Sequence, residues 1–450
     1  MLIAATPTLD WPSADQWARV LLLRDYNTRV VVLGVMMFAI AAGLIGTFML
    51  LRRRALLSDA VSHATLPGIA LAFIIMVMLG GSGKSLSGLL IGAGIFGGIG
   101  MIAVMLIRGA TRLKDDVALG IVLSVTFGLG AALIKLCTEM PGASAAGLDR
   151  FIYGSAATML YRDAVTMLVA AAVVAIACAL LYKEFALVCF DQEYAGAQGW
   201  PVARIDITMM GLTVAVTTIG LQAVGLVLVV AMLIIPPAAA RFWTDRLLYM
   251  TIGSAVIGMV SGYLGAIVSG LVRHVPTGPV IVVVAAGVFL VSMMFGVRRG
   301  LIVRLVEHLR LTRRVAMQHL LRAAYEQIEA HGADNGRFST KELQSRRSWP
   351  PRQLHRLLAT ARRCGWIEPV DADQWRFTDA GRAEAEKVVR NHRLWELYLI
   401  THAEIAPSHV DRDADAIEHV LGAAMVEKLE DMLESQAGER GRVPPSPHAI

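Results

Sequence analysis

The stretch LLSDAVSHATLPGIALAFIIMVMLG, residues 56–80, decides the fold class because it joins a long apolar run to two ionisable side chains. A run of this length can cross a bilayer as a helix. Asp59 and His63 are four residues apart, so a helix carries both on one face. Ionisable groups are costly inside a membrane, and these two offer donors that suit Mn, Fe or Zn, so they predict a functional site. The alternative is a helix cap at the membrane boundary that the lipid headgroups keep wet.

Composition divides the chain around this stretch. The 450 residues are 56% hydrophobic, and the apolar runs are confined to 31–297, whereas 298–450 is ordinary polar sequence. A polytopic membrane domain followed by a soluble domain is therefore predicted. The four cysteines show no CxxC spacing and suggest no disulfide framework. Residues 11–30 predict an interfacial helix, and no cleavable signal peptide is apparent.

Nine apolar runs predict nine spans, of which the sixth and seventh are hardest to separate. They are 31–51, 62–80, 87–107, 117–137, 163–182, 206–221, 223–240, 248–270 and 278–297. Lys and Arg concentrate in one alternating set of loops, which the positive-inside rule assigns to the cytoplasm. This rule places the C-terminal domain in the cytoplasm and, with an odd number of spans, the N-terminus outside.

Two further features of the membrane region are typical of a transport path. The glycines of GLLIGAGIFGGIG (88–100) allow close contact between helices, with or without a role in transport. Pro236-Pro237 predicts a broken or kinked helix that exposes carbonyls, or simply a helix end. The loop CFDQEYAGAQGWPVARID (189–206) is amphipathic, which predicts either a helix that docks in a partner's groove or a plain connecting helix.

Taken in order, four motifs resemble the permease subunits of ABC importers for zinc, manganese and iron, over roughly residues 15–300. They are LLRRRALLSDAVSHATLPGIALAF (50–73), FDQEYAGAQGWPV (190–202), LQAVGLVLVVAMLIIPPAAARFWTDR (221–246) and the SG…GP stretch at 261–279. The resemblance implies a second permease copy, an ABC ATPase subunit and an extracytoplasmic binding protein that delivers the ion. It also implies that Asp59 and His63 line the metal path. At the ATPase contact it implies Phe190, Asp191, Glu193, Ala195 and Gly199.

Two observations qualify this resemblance. Arg273-His274 stands where an acidic residue is common in the family, which leaves His274 as a candidate substitute ligand. No GxxxxGK[ST] motif is present, so the chain is not expected to be an enzyme and ATP hydrolysis is assigned to a separate subunit.

The polar region predicts a winged helix. An amphipathic helix occupies 300–332, a helix–turn–helix pattern follows at 338–368, and QWRFTDAGR (374–382) predicts the wing. Ser339-Thr340 are expected to cap the first helix of this pattern, and Trp349-Pro350-Pro351 to open the second. Eight Lys or Arg lie between Arg337 and Arg363 against one acid, which favours phosphate contact. The candidate DNA contacts are Arg352, Gln353, His355 and Arg356, although a protein contact or proximity to anionic lipid would also fit.

Two groups of potential ligands follow the wing. His392 and Glu396 share a helix face at i, i+4, and Asp415, Glu418 and His419 share another. Mixed carboxylate and imidazole donors favour Mn²⁺, Fe²⁺ or Zn²⁺, whereas a solvated charged face is the alternative.

The motifs FTDAGRAEAEKVVRNHRLWELYL (377–399) and HVDRDADAIEHVL (409–421) resemble the diphtheria toxin repressor and manganese regulator family, with the similarity covering roughly 315–435. The resemblance implies one metal site at His392 and Glu396, and another at Asp415, Glu418 and His419. It implies His319 as an extra ligand. Arg322 stands where the manganese regulators have a carboxylate, and Asp411 where a histidine is expected, with His409 nearby.

The expected fold is an all-α polytopic membrane protein of about nine helices with a cytoplasmic winged-helix domain and a helical metal-binding and dimerisation region. The expected segments are 1–30 (interfacial), 31–299 (permease), 300–370 (linker helix and winged helix), 371–435 (wing and metal-binding region) and 436–450 (disordered). The expected function is import of Mn²⁺, Zn²⁺ or Fe²⁺, with metal sensing by the C-terminal domain. The alternatives are an ABC permease for a metal chelate, a membrane-tethered DNA-binding regulator and an ion-coupled secondary transporter.

Overall fold

The structure is a computed structural model. It describes residues 13–402 except 55, 82, 84, 141–158, 272–274, 332–335 and 347–348, together with residues 428, 429, 431, 443 and 444. The chain forms two compact units, Met1–Arg304 and Leu305–Ile450. Below, the first is called the membrane unit and the second the tail.

Twelve helices of the membrane unit lie within the described residues. They are α1 (Ala14–Leu21), α2 (Tyr26–Leu51), α3 (Leu57–Met78), α4 (Leu86–Ala110), α5 (Asp115–Glu139), α6 (Tyr161–Leu180), α7 (Tyr182–Phe190), α8 (Gln192–Ala197), α9 (Val202–Val224), α10 (Leu226–Ala240), α11 (Leu247–Leu271) and α12 (Thr277–Phe295). Eight of them, α2–α6, α9, α11 and α12, are long and apolar enough to cross a membrane, and α10 is a shorter apolar helix. The prediction of a polytopic helical domain is confirmed.

Two local predictions need correction. Pro236 and Pro237 do not end their helix, because α10 continues through both to Ala240. The break lies instead at Gly225, whose φ of 83° separates α9 from α10. This left-handed conformation is accessible to glycine without a steric penalty. The predicted interfacial segment 11–30 also divides, since α1 ends at Leu21 and the first span begins at Tyr26.

Close helix contacts hold the membrane unit together. A Cβ added at Gly68 of α3 would lie 2.2 Å from the Gly92 carbonyl oxygen of α4, so these two backbones touch as the glycine-rich stretch predicts. Helix α2 packs against α6, α10 and α11. The Ser254 hydroxyl of α11 donates to the Gly43 carbonyl of α2 at 2.8 Å. These contacts fix the positions of α2 and α3, between which the arginine-rich connection runs.

The tail contains a winged helix. Its elements are α13 (Leu301–Ala330, which begins in the membrane unit), β1 (Arg337–Ser339), α14 (Thr340–Arg346), α15 (Pro351–Arg363), β2 (Ile367–Pro369), β3 (Gln374–Phe377) and α16 (Asp379–His402). The strands form an antiparallel sheet in the order β1-β3-β2, with Phe338 opposite Trp375. Phe338, Leu354 and Leu358 are buried in its core.

The predicted cap of α14 is wrong. Ser339 lies in β1, and its hydroxyl donates to an Asp373 carboxylate oxygen at 2.9 Å. The Thr340 hydroxyl accepts from the Trp375 indole N–H at 3.1 Å. Both side chains therefore tie β1 and α14 to the β2–β3 turn and to β3. A hydroxyl ahead of a helix is a capping signal only when no other strand competes for it.

Candidate metal sites and docking surfaces

The first candidate site is the pair at the start of α3. His63 Nε2 lies 3.4 Å from Asp59 Oδ1, and the two side chains are 18% and 30% exposed. Asp59 occupies the first turn, where the helix dipole stabilises a negative charge. The sequence spacing therefore brings carboxylate and imidazole together in a partly open position on an apolar helix.

The surroundings of His63 leave one ring nitrogen without a partner. Its ring meets the Phe127 ring of α5 edge-on, with centroids 5.0 Å apart. His63 Nδ1 is buried and has no hydrogen-bond partner among the residues that the structure describes. Within the same residues, no group of three or more His, Cys, Asp or Glu could hold an ion. The Asp59–His63 pair thus offers two donors, and further ligands must come from elsewhere.

The loop helices α7 and α8 carry the predicted ATPase contact. Four of its five residues are exposed, and Ala195 is buried: the exposed ones are Phe190, Asp191, Glu193 and Gly199. Asp191 caps α8 by accepting from the Tyr194 N–H at 2.8 Å. Phe190 is 70% exposed, and Tyr194 and Trp200 of the same loop are also exposed. The loop therefore presents an apolar tip on an ordered, capped helix.

An arginine network that no sequence motif predicts anchors this loop. Arg52 donates to the Val188 carbonyl at 3.0 Å and to Asp206 Oδ1 at 3.2 Å. Arg54 donates to the other carboxylate oxygen of Asp206 at 2.5 Å. Burial lowers the pKa of Arg54, and the adjacent Asp206 carboxylate opposes this effect. The one sign of this network in the sequence is Asp206, a charged residue at the first position of the predicted span 206–221.

The first predicted metal site of the tail, His392 and Glu396, contains an arginine side chain in addition to the predicted ligands. His392 Nε2 lies 3.1 Å from Glu396 Oε1 on α16, and both side chains are 3% exposed. Arg322 of α13 places Nη1 2.8 Å from His392 Nδ1, and its Nε lies 3.0 Å from Glu326 Oε1. His319, one turn before Arg322, is partly buried. The donor set at this position does not fit a resident metal ion, because a cationic side chain already contacts the imidazole.

A second ion pair joins the same two helices. Both terminal nitrogens of Arg393 on α16 contact the Glu329 carboxylate of α13. Arg393 is 4% exposed and also donates to the Pro444 carbonyl at 2.8 Å. No sequence motif marks Glu326, Glu329 or Arg393, although both acids lie on the Arg322 helix within two turns of it.

Several predicted residues lie outside the described part of the chain. They are His274, His409, Asp411, Asp415, Glu418 and His419. The second predicted metal site of the tail therefore stays a prediction.

The predicted DNA-contacting surface lies on α15. Arg352, Gln353, His355 and Arg356 are all exposed, whereas Leu354 and Leu358 of the same helix are buried in the tail core. The helix thus has one face for packing and one polar, basic face.

Together, the apolar helices and the winged helix define a multi-pass membrane protein that carries a winged-helix tail. The model of the ABC 3 transport family matches residues 24–296, so the chain belongs to this family. The model described as "Iron dependent repressor, metal binding and dimerisation domain" matches residues 378–437. Both resemblances noted in the sequence are confirmed.

Named relatives agree with this assignment. The manganese transport system membrane protein MntC of Bacillus subtilis is 34% identical over 391 residues, covering 87% of this chain and 88% of that protein. The zinc transport system membrane protein TroC of Treponema pallidum is 39% identical, covering 63% of this chain and 94% of that protein. Among solved structures, PsaBC from Streptococcus pneumoniae in complex with Fab has 29% identity and a TM-score of 0.54. It covers 64% of this chain and 97% of that one.

Proposed function

We propose that this protein is the permease subunit of an ABC transporter that imports a divalent transition metal, Mn²⁺, Zn²⁺ or Fe²⁺, across the inner membrane. The carrying observation is the Asp59–His63 pair, in which a carboxylate lies 3.4 Å from an imidazole nitrogen on a helix long and apolar enough to cross a membrane. A neutral imidazole keeps one nitrogen lone pair for a metal. Relatives named for manganese and zinc transport support the same class of substrate.

A complete site requires more donors than the Asp59–His63 pair supplies. Zinc takes four ligands in most protein sites, and this pair offers two. A second permease copy would double the pair, because a two-fold axis repeats every donor. Imidazole and carboxylate suit manganese, iron and zinc alike, so uptake competition between the three ions decides the substrate.

Energy for import would come from a separate ABC ATPase subunit. The exposed Phe190 and the capped helix α8 form a protruding surface suited to a groove on that subunit. This docking requires the α7–α8 loop on the cytoplasmic side, in agreement with the distribution of Lys and Arg among the loops. If α10 also crosses the membrane, the four helices α9–α12 return the chain to the side of this loop, so the tail would also be cytoplasmic. An extracytoplasmic binding protein would deliver the ion from the opposite face.

The experiment that tests the path is metal uptake by cells that express Asp59→Ala or His63→Ala at matched levels. Each change removes one of the two donors. Loss of a residue that only supports a metal ligand typically costs about 10–100-fold, so we expect loss of a ligand itself to reduce uptake by about 100-fold or more. Glu139→Ala is the matched control, since Lys135–Glu139 is also an i, i+4 ion pair on a span but is exposed.

Wild-type uptake by both path variants would contradict the assignment. The same uptake assay distinguishes the two alternative transporter classes, a metal-chelate permease and a secondary transporter. A chelate permease would carry the complexed ion without needing Asp59 or His63. A secondary transporter would continue in cells that lack the partner ATPase.

The exposed basic face of α15 favours a second function, metal-linked DNA binding by the tethered tail. Arg352 and Arg356 lie on this face, and phosphate contacts by Lys or Arg make binding fall steeply with salt. We expect the full chain in nanodiscs to retain duplex DNA on filters, and Arg352→Ala with Arg356→Ala to weaken retention and flatten the salt dependence. Equal retention by the double variant would remove this function.

A further inference from the structure

A buried polar cluster joins α13 to α16 in the tail. Arg322, His392 and Glu396 are 6%, 2% and 2% exposed. Polar groups at such depth are stable only when they are hydrogen-bonded, so the direction of each bond in this cluster is informative.

The chemistry of arginine fixes these directions. A guanidinium has N–H donors and no acceptor, so His392 Nδ1 must accept from Arg322 Nη1 at 2.8 Å. A ring nitrogen that accepts carries no proton. The proton of the neutral imidazole is then on Nε2, which donates to Glu396 Oε1 at 3.1 Å. Both ring nitrogens are therefore engaged, and neither has a lone pair left for a metal.

The charge of the cluster leads to the same result. Between an imidazole and carboxylates, where a divalent ion would be attracted, the guanidinium already supplies a positive charge and contacts Glu326 at 3.0 Å. Arginine does not lose its proton in proteins, so this charge is permanent. A divalent ion at His392 would have to displace the guanidinium from a buried position.

We infer that the His392–Glu396 position of the tail is not a metal site, and that Arg322 replaces the metal ion as a built-in cation. The second pair, Arg393–Glu329, joins the same two helices in the same way. The contact between α13 and α16 is then present whether or not the cytoplasm contains the metal. Any response of the tail to metal must arise outside this position. Arg322 would occupy this position whichever ion the permease carries.

Counting bound ions in the full chain tests this inference. The protein is purified in detergent with Asp59→Ala and His63→Ala, which removes the path donors, and is titrated with Mn²⁺ while free Mn²⁺ is measured by electron paramagnetic resonance. The same background with His392→Gln should bind an equal number of ions per chain. Loss of one ion per chain on His392→Gln would overturn the inference.

Reversing the replacement gives a second test. In the same background, Arg322→Glu should gain about one Mn²⁺ per chain, and adding His392→Gln should remove it. A folded Arg322→Glu protein that gains no ion would show that arginine is not what closes the site.

A third measurement needs no substitution in the tail. Hydrogen exchange of the α16 amides in the wild-type protein should be the same in excess Mn²⁺ and after EDTA treatment. Faster exchange confined to the amides around His392 and Glu396 after chelation would contradict the inference, because it would show a metal held at this position of the helix.

Discussion

The Asp59–His63 and His392–Glu396 pairs have the same spacing and nearly the same geometry, yet they offer different chemistry. Their closest contacts are 3.4 Å and 3.1 Å. The first pair is partly exposed, and its imidazole meets the aromatic ring of Phe127. Phe127 has no N–H or O–H group that could donate a hydrogen bond to the imidazole lone pair. The second is buried, and its imidazole meets Arg322. A ligand pair at i, i+4 therefore does not by itself define a metal site. The residue that contacts the imidazole, Phe127 or Arg322, decides whether the imidazole keeps a lone pair for a metal.

The largest effect is expected from placing an arginine beside the Asp59–His63 pair, as Arg322 lies beside His392. Phe127→Arg places a guanidinium within reach of the His63 ring, in the role that Arg322 has beside His392. We expect metal uptake to fall by about 100-fold, as for loss of a metal ligand's support. Initial uptake rates at matched expression are the measurement.

Leu129→Arg is the control for this change. Leu129 and Phe127 are 46% and 48% exposed on the same helix, so both substitutions carry a similar insertion cost. Residues two apart do not face the same way on a helix, so the arginine at 129 points away from His63. Equal loss in both variants would mean that the charge harms insertion and does not close the pair.

Asp206 extends the comparison to a carboxylate held by two arginines. Asp206→Ala leaves Arg52 and Arg54 buried without their shared counter-charge, with side chains 9% and 5% exposed. Removing one partner of a buried ion pair costs about 3–5 kcal/mol, so thermal unfolding of the detergent-solubilised protein should shift strongly downward. The exposed pair Asp245–Arg299 provides the control, because Asp245→Ala should cost about 0–1 kcal/mol. Similar shifts in the two variants would show that solvent screens the Asp206 network.

The smallest expected effect belongs to the tail pair. Arg322→Met keeps the length of the side chain and removes the donors to His392 and Glu326, which should destabilise the tail by about 1–3 kcal/mol. Uptake should stay near the wild-type rate, in contrast to the path variants. Limited proteolysis of the intact protein measures the opening of the tail, with Arg376→Met in the exposed Glu368 pair as the control. If the Arg322→Met protein resists proteolysis as well as the control, the Arg322–His392 cluster does not stabilise the tail.

The membrane spans could be predicted from sequence to within a few residues, as 248–270 and Leu247–Leu271 show. A long apolar run is a local signal that does not depend on the rest of the chain. The Asp59–His63 contact was predictable for the same reason, since helical periodicity alone sets it. Gly225 was harder, because a single glycine in an apolar run also occurs in unbroken helices.

The closed site of the tail could not be derived in this way. Arg322 and His392 are 70 residues apart, and only the fold of the tail brings their side chains together. The same holds for Arg52 and Asp206, which are separated by 154 positions. In both cases sequence composition shows the charges, but the fold determines which charges neutralise each other.

The Asp206 network also has a mechanical consequence. Arg54 holds Asp206 through its side chain, while its backbone carbonyl accepts from the Leu57 N–H at the first residue of α3. Asp59 follows two residues later. Hydrogen-bonded and close-packed elements compress little, so a displacement of the α7–α8 loop would reach the start of α3 through Arg52 and Arg54. Under the proposed function, the same network would connect the predicted ATPase contact to the proposed metal ligands Asp59 and His63.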